Sequence, residues 1–226
     1  MTQDSSQNSD DLEELPEILP IFPLAGVLLL PGGQLPLNIF EEQYLKMVED
    51  SLKESRLIGM IQPQEDQTKT NGSRPVFQTG CAGKITSFSE TSDGRYEIVL
   101  TGLSRFEVRE ELDRRSGYRR IRPCWQTFRT DLELEQHQCL DIDRDRLYSL
   151  LQAYFDMHDI TCSWSSIEAA PDSKLITALS MICPLECSEK QGLLEARDCV
   201  ERAEMFMTML ELAIHGSDTS SNDHKH

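Results

Sequence analysis

Metal and nucleophile chemistry in this chain would have to start from its cysteines. Cys183 and Cys187 are spaced as zinc ligands often are, and Cys162 and Cys199 would complete four thiolates. Packing is the stronger reading. Cys183 follows the apolar series Leu175, Leu179 and Ile182, and a free cysteine is a common core residue. His215, His224 and His226 lie near the end of the chain, and His137 and His158 stand alone, with His158 read as a half-buried packing residue, so no metal site is expected. Cys81, in Thr79-Gly-Cys-Ala-Gly83, is the one cysteine whose glycine neighbours suggest an exposed, reactive thiol; the start of a packed strand is the favoured alternative.

Two further motifs fall short. A phosphate-binding loop needs G-x-x-x-x-G-K-[ST], but Gly83-Lys84 is followed by Ile85, and Gln78 occupies the first glycine position. A nucleophile elbow needs G-x-S-x-G, but Gly102-Leu-Ser104 ends on Phe106. We therefore expect no catalytic residue, no ATPase or peptidase activity and no cofactor. What remains is apolar surface. Met205, Met207 and Met209 flank Phe206; methionine surfaces adapt to varied partners, though such a run is more often core. Val27-Leu-Leu-Leu30 is either a strand buried on both faces or the wall of a peptide groove.

The elements that carry these residues divide the chain in two. The tract from Ile18 to Glu41 interleaves Pro20, Pro23, Pro31 and Pro36 with short apolar runs, which read as strands joined by turns. Gly26 and Gly32-Gly33 supply the turns. Glu41 to Glu54 reads as an amphipathic helix with Tyr44, Leu45, Val48 and Leu52 on one face. Phe40, just before it, is expected to be a core anchor. Leu57 to Ile61, Cys81 to Phe88, Tyr96 to Leu100, the Phe106/Val108 stretch and Arg119 to Arg122 read as further strands, with Asp93-Gly94 as a hairpin turn. From Asp141 the period becomes helical. Leu147, Leu150, Leu151 and Tyr154 share one face; Leu175, Ile176, Leu179 and Ile182 another; Ala203, Phe206, Met207, Leu210 and Ala213 a third. Asp172, the Ser188/Gln191 pair and the Asp198/Glu201 pair are the expected helix starts, and Gly216 the expected stop.

The predicted class is α+β: a closed sheet or small barrel with one helix over residues 16–126, then a bundle of about four helices over 127–214. Residues 1–15 form an acidic tail and 215–226 a second polar tail, both expected to be disordered.

Composition narrows the partners. The chain has 226 residues, with 39 acidic against 22 basic and a net charge of −17, which disfavours nucleic acid and anionic membranes. Arg114, Arg115, Arg119, Arg120 and Arg122 form the one basic cluster, read first as a solvated hairpin. No run approaches the ~20 apolar residues that span a bilayer, and no signal peptide is visible. Seven scattered cysteines then suggest reduced thiols and a cytoplasmic protein.

The pattern of apolar strand, Pro-Leu, apolar strand, Pro-Gly and Leu35-Pro-Leu-Asn-Ile-Phe-Glu41 before a helix resembles the N-terminal domain of the Lon protease family. So do the Gly80 to Val108 hairpin with Leu100-Thr-Gly-Leu-Ser-Arg-Phe106, and Ile182-Cys-Pro-Leu185 followed by Lys190-Gln-Gly-Leu-Leu-Glu195. The likeness extends from about Ile18 to Ile214; the Gln64 to Arg74 and Asp131 to Asp141 stretches carry no family pattern. The resemblance implies a PUA-like β-fold followed by a helical bundle, without the family's ATPase and Ser-Lys peptidase modules.

It further implies a non-catalytic domain that binds unfolded or client polypeptides, as an adaptor or chaperone-like binder in proteolysis, with a protease or other protein as partner. Residues assigned to peptide binding are Leu28, Leu30, Pro31, Phe40, Tyr44, Met205 and Met209. The alternatives are RNA binding through the PUA-like half, with Tyr118 stacking beside the arginines, and a protein–protein scaffold with a small-ligand pocket, as in the Lon-like portion of cereblon-type adaptors.

Overall fold

A computed structural model of the protein describes residues 15–64, 68, 74–132 and 142–220, with side chains to residue 216. The strands are β1 (Leu19–Pro23), β2 (Gln34–Ile39), β3 (Leu57–Ile61), β4 (Thr79–Glu90), β5 (Tyr96–Arg115) and β6 (Tyr118–Cys124). Helix α1 (Glu42–Lys53) lies between β2 and β3. After 3-10 turns over Gln126–Leu132 come α2 (Arg144–Met157), α3 (Trp164–Ala169), α4 (Asp172–Ile182), α5 (Cys187–Glu195) and α6 (Cys199–Ser220). The fold is α+β, as expected.

The sheet closes because β5 is 20 residues long. Its first part pairs with both β2 and β4, and its last part, from Glu107, with β6. β6 pairs with β1, β1 runs parallel to β3, and β3 pairs with β4, which returns to β5. Register shifts at Ala82/Gly83 and Ile85/Ser87 coil β4 around the ring. The two strands expected around Leu100 and Phe106 are one, since nothing between Leu100 and Arg105 breaks an extended chain. The Asp93-Gly94 hairpin is present, with Gly94 at φ +80°.

Two apolar clusters hold this frame. The smaller gathers Leu19, Ile21, Leu57, Ile61, Ala82, Phe106 and Ile121. The larger runs from Ile58, Met60, Cys81 and Leu100 through Leu28–Leu30 to Leu151, Leu179, Phe206 and Leu210, so sheet and helices share one core.

Several expectations change. Val27 to Leu30 is not a strand; it is an extended coil whose Leu28, Leu29 and Leu30 are at most 2% exposed. Its continuation turns at Gly32, φ +76°, and is tied to β5 by Gly32 N–H donating to Gly102 O (2.9 Å) and Gly102 N–H to Gly33 O (2.8 Å). Phe40 is 65% exposed, under the Arg95 guanidinium at 6.0 Å; the alternation along β2 buries Ile39 and turns its neighbour outward. Ile182 is 71% exposed although its helical period matches Leu175 and Leu179, because α4 ends there and the last residue lies beyond the packed face. His158 is exposed, its ring 4.3 Å from Tyr154.

Helix starts also differ in detail. Asp143 caps α2 by accepting Arg146 N–H (2.9 Å), and Asp198 accepts Glu201 N–H (2.9 Å) at the start of α6. The capping box of α5 is Glu186 with Glu189 rather than Ser188 with Gln191, and Asp172 makes no cap for α4. Residues 142–220 hold five helices, the short α3 being unforeseen, and α6 continues through Gly216 to Ser220. The acidic tail, except Leu15, and residues 221–226 lie outside the described residues, as do most of Gln64 to Arg74 and of Asp131 to Asp141.

Candidate functional site

Polar side chains fasten the helices to the sheet, and most come from α5. Lys190 and Gln191 are buried, an unusual fate for their types. Lys190 Nζ donates to Gly26 O (2.8 Å) and Met181 O (3.4 Å); burial lowers its pKa, with the Cys183 and Cys187 sulfurs opposing. Gly26 N–H in turn donates to Cys187 Sγ at 3.0 Å. Gln191 Nε2 donates to Thr79 O (3.2 Å) and Glu195 Oε1 (2.7 Å), and Gln62 Nε2 to Cys187 O (3.0 Å).

Arg105 completes this seam. It is 3% exposed, grips Asp131 through Nε (2.9 Å) and Nη2 (2.8 Å), and donates from Nη1 to Leu194 O (3.1 Å) and Ala196 O (2.5 Å). Its guanidinium lies 4.3 Å from the Phe128 ring. Its backbone N–H also donates to Asp131 (2.9 Å), so the strand itself shares that carboxylate.

Beside the seam opens a cleft of about 620 Å³, ordinary for a ligand site. One wall is the Pro31-Gly-Gly turn; the other is α4, through Ser173, Lys174, Thr177, Ala178, Met181 and Ile182; Arg105, Arg197 and Arg202 also line it. Gly33 lets Met181 lie against the turn, since a Cβ there would come within 2.3 Å of the Met181 sulfur. Arg202 is 6% exposed and its Nε donates to Leu193 O (2.8 Å). Burial first, and then Arg105, push its pKa down to about 10.

Of the residues assigned from sequence to peptide binding, only Pro31 lines this cleft. Leu28 and Leu30 are buried in the shared core and present no groove wall. Tyr44 is half-buried, its ring 4.2 Å from that of Phe22. Phe40 is exposed on the sheet side. Met205 and Met209 are half-buried on α6, near Gly192 of α5. The seven therefore form no single surface. Met181, Ile182 and Arg202 were missed as site residues. Ile182 read as helix core by period, Met181 carried no reading, and a lone arginine in an acidic helix gives no sequence signal.

The motif residues weighed for catalysis have packing roles. Ser104 is buried and donates to its neighbour's carbonyl, Arg105 O, at 3.0 Å. Cys81 is fully buried, which raises its pKa far above the ordinary thiol value. Gly83 sits within β4, where a Cβ would meet Leu29 Cδ2 at 2.7 Å. Burial pushes the Cys183 thiol up to about 12. Among the described residues no three His, Cys, Asp or Glu side chains gather as metal ligands would. Cys81, Cys124, Cys162 and Cys183 are free, but Cys199 is disulfide-bonded, so the thiols are not all reduced as expected.

The arginine cluster is committed internally. Arg119 grips Glu111 through two bonds of 2.7 Å, Arg115 reaches Glu54 (2.9 Å) and Asp50 (3.3 Å), Arg122 lies 3.4 Å from Glu110, and Arg120 donates to Asp113 O (2.9 Å). No helix among the described residues is long and apolar enough to cross a membrane.

Known proteins resemble this chain along nearly its whole length. The Lon protease of Cytophaga hutchinsonii is 24% identical over 203 residues, covering 89% of this chain and 25% of that protein. Lon protease 2 of Myxococcus xanthus is 24% identical, covering 88% and 24%. This chain thus spans about a quarter of the length of these curated relatives. Among solved structures, a Lon N-terminal domain protein from Xanthomonas campestris superposes with a TM-score of 0.56 at 21% identity, covering 84% of this chain and 97% of that one. The N-terminal domain of the Mycobacterium avium complex Lon protease gives 0.58 at 16% identity, covering 86% and 98%. These likenesses establish the fold. Residues 18–211 match the ATP-dependent protease La (LON) substrate-binding domain, and the chain belongs to that family.

Proposed function

We propose that this chain binds unfolded or client polypeptides in the cleft between the Pro31-Gly-Gly turn and α4, without catalysing their cleavage, as an adaptor or chaperone-like binder in proteolysis. The observation that carries this reading is the cleft wall. Ile182, 71% exposed, stands with Met181, Ala178 and Pro31 over a 620 Å³ space, in a family defined by substrate binding. An exposed isoleucine beside a half-buried methionine offers apolar contact to varied side chains. Residues 18–211 match the substrate-binding domain and neither the ATPase nor the peptidase module, which supports a non-catalytic role. RNA binding has less support, since the basic cluster is paired with Glu54, Glu110 and Glu111.

Fluorescence anisotropy with labelled, unfolded polypeptides tests the proposal. Kd values near micromolar, about −8 kcal/mol, are expected. The exposed Ala178, changed to Trp, should block the cleft and weaken binding without moving Tm. Binding no tighter than millimolar, or unchanged in Ala178→Trp, would remove the cleft as the site.

A further inference from the structure

Resting on the polypeptide reading above, we propose that the floor of the cleft captures a carboxylate at the C-terminal end of the bound chain, with Arg202 as its principal ligand and Lys174 at the rim. Four cationic side chains line the cleft, Arg105, Lys174, Arg197 and Arg202, against two carboxylates, Asp131 and Asp198. Both carboxylates are occupied. Asp131 is gripped by Arg105, and Asp198 caps α6 and lies 3.3 Å from Arg197.

Arg202 is the exception. It is 94% buried, and its Nε is satisfied by Leu193 O. Among the described residues, no carbonyl or side chain takes its two terminal nitrogens, which face the cleft. Neither terminal nitrogen is sealed from solvent, so the guanidinium is open to the cleft, and its fork matches a carboxylate through two parallel bonds. Lys174, in the first turn of α4, is exposed at the same cleft, and that helix start has no side-chain cap competing for an anion.

The neighbouring wall chooses among anions. Met181, Ile182, Ala178 and Pro31 place apolar surface beside the cationic floor. A terminal residue with an apolar side chain and a free α-carboxylate meets both. Inorganic phosphate would leave the wall unused, and a polyanion would meet the chain's net charge of −17.

The test compares two short fluorescein-labelled peptides of one sequence ending in leucine, one with a free carboxylate and one amidated, by anisotropy on the full chain. The free acid should bind about tenfold tighter. Arg202→Gln should erase that difference and leave the amide within about twofold. Should Arg202→Gln fail to fold by circular dichroism, Lys174→Glu, on an exposed position, is expected to weaken the acid selectively. Equal affinities for acid and amide would overturn the carboxylate assignment while leaving polypeptide binding intact. Failure of both peptides to bind would overturn both readings. Displacement by inorganic phosphate at concentrations comparable to the peptide would show a general oxyanion site and overturn the chain-end assignment.

Discussion

Arg105 and Arg202 lie at the same junction of sheet and helices, and both are almost fully buried, yet their hydrogen bonding differs. Arg105 spends Nε and both terminal nitrogens on Asp131 and the carbonyls closing α5. Arg202 spends one nitrogen on Leu193 O. Both line the cleft, but the donors of Arg105 are taken up by the fold, whereas the terminal nitrogens of Arg202 are left to the cleft. A buried charge whose donors are all bonded holds parts together, whereas one with donors open to a cleft can receive a group from outside the fold. The seam should therefore respond to mutation through stability, and the cleft through binding.

The largest effect is expected at Gly102. A Cβ there would lie 2.0 Å from Leu30 O and 2.8 Å from Leu30 C, and neither backbone atom can yield without opening the turn. Gly102→Ala should cost more than about 3 kcal/mol. Urea denaturation measures it; a midpoint close to that of the unchanged protein would mean that the turn is not held against β5.

Next comes Arg105. Arg105→Ala leaves Asp131 with only the backbone N–H of residue 105 and frees the carbonyls of Leu194 and Ala196, at an expected cost of about 3–5 kcal/mol. A loss below about 1 kcal/mol would show that the seam is held by apolar contact alone.

Those two residues also show what a sequence can disclose. Leu100-Thr-Gly-Leu-Ser-Arg-Phe106 stood out as a pattern, and its spacing has a local cause. Gly102 clears a crossing backbone, Arg105 reaches the helices, and Phe106 fills the smaller core, all from one strand. Lys190-Gln-Gly-Leu-Leu-Glu195 was legible in the same way, because α5 must present polar groups at fixed spacing to the sheet. The closed sheet was readable from turn chemistry and alternation. The cleft was not. It joins the Pro31 turn to α4 and to Arg202 on α6, residues far apart in the chain that no local period connects. Ile182 illustrates the difficulty: periodicity places it with Leu179, but the end of its helix releases it to the surface. Phe40 failed likewise, since burial at the end of β2 depends on which of two adjacent residues faces inward.

A smaller effect, with a definite pH signature, is expected at Lys190. Its folded pKa is depressed by burial. Between that value and the unfolded value near 10.4, the unfolded chain binds the extra proton, so Lys190 contributes stability that rises with pH in that window. The raised pKa values of Tyr118, Tyr154 and Cys183 act oppositely at high pH, so the comparison must be with a variant. Lys190→Met should lose about 1–2 kcal/mol at neutral pH by orphaning Gly26 O, and its stability deficit should widen from pH 8 to 10. A deficit constant with pH would mean that Lys190 keeps its ordinary pKa in the folded state.

The smallest effect on stability belongs to the cleft, and it separates the two regions most sharply. Ile182 is 71% exposed, so Ile182→Ser removes little buried area and should leave the unfolding midpoint unchanged within about 0.5 kcal/mol. If the cleft receives polypeptide, the same change removes apolar surface from its wall and should weaken client binding about five- to tenfold, the transfer free energy of a partly covered aliphatic side chain. Anisotropy and urea denaturation on one preparation read both quantities. A stability loss comparable to that of Arg105→Ala would place Ile182 in the seam. Unchanged stability with unchanged binding would make it an ordinary exposed side chain. A loss of affinity at constant stability is the result that a built binding wall requires, because no other role for an exposed isoleucine at the end of α4 moves one quantity without the other.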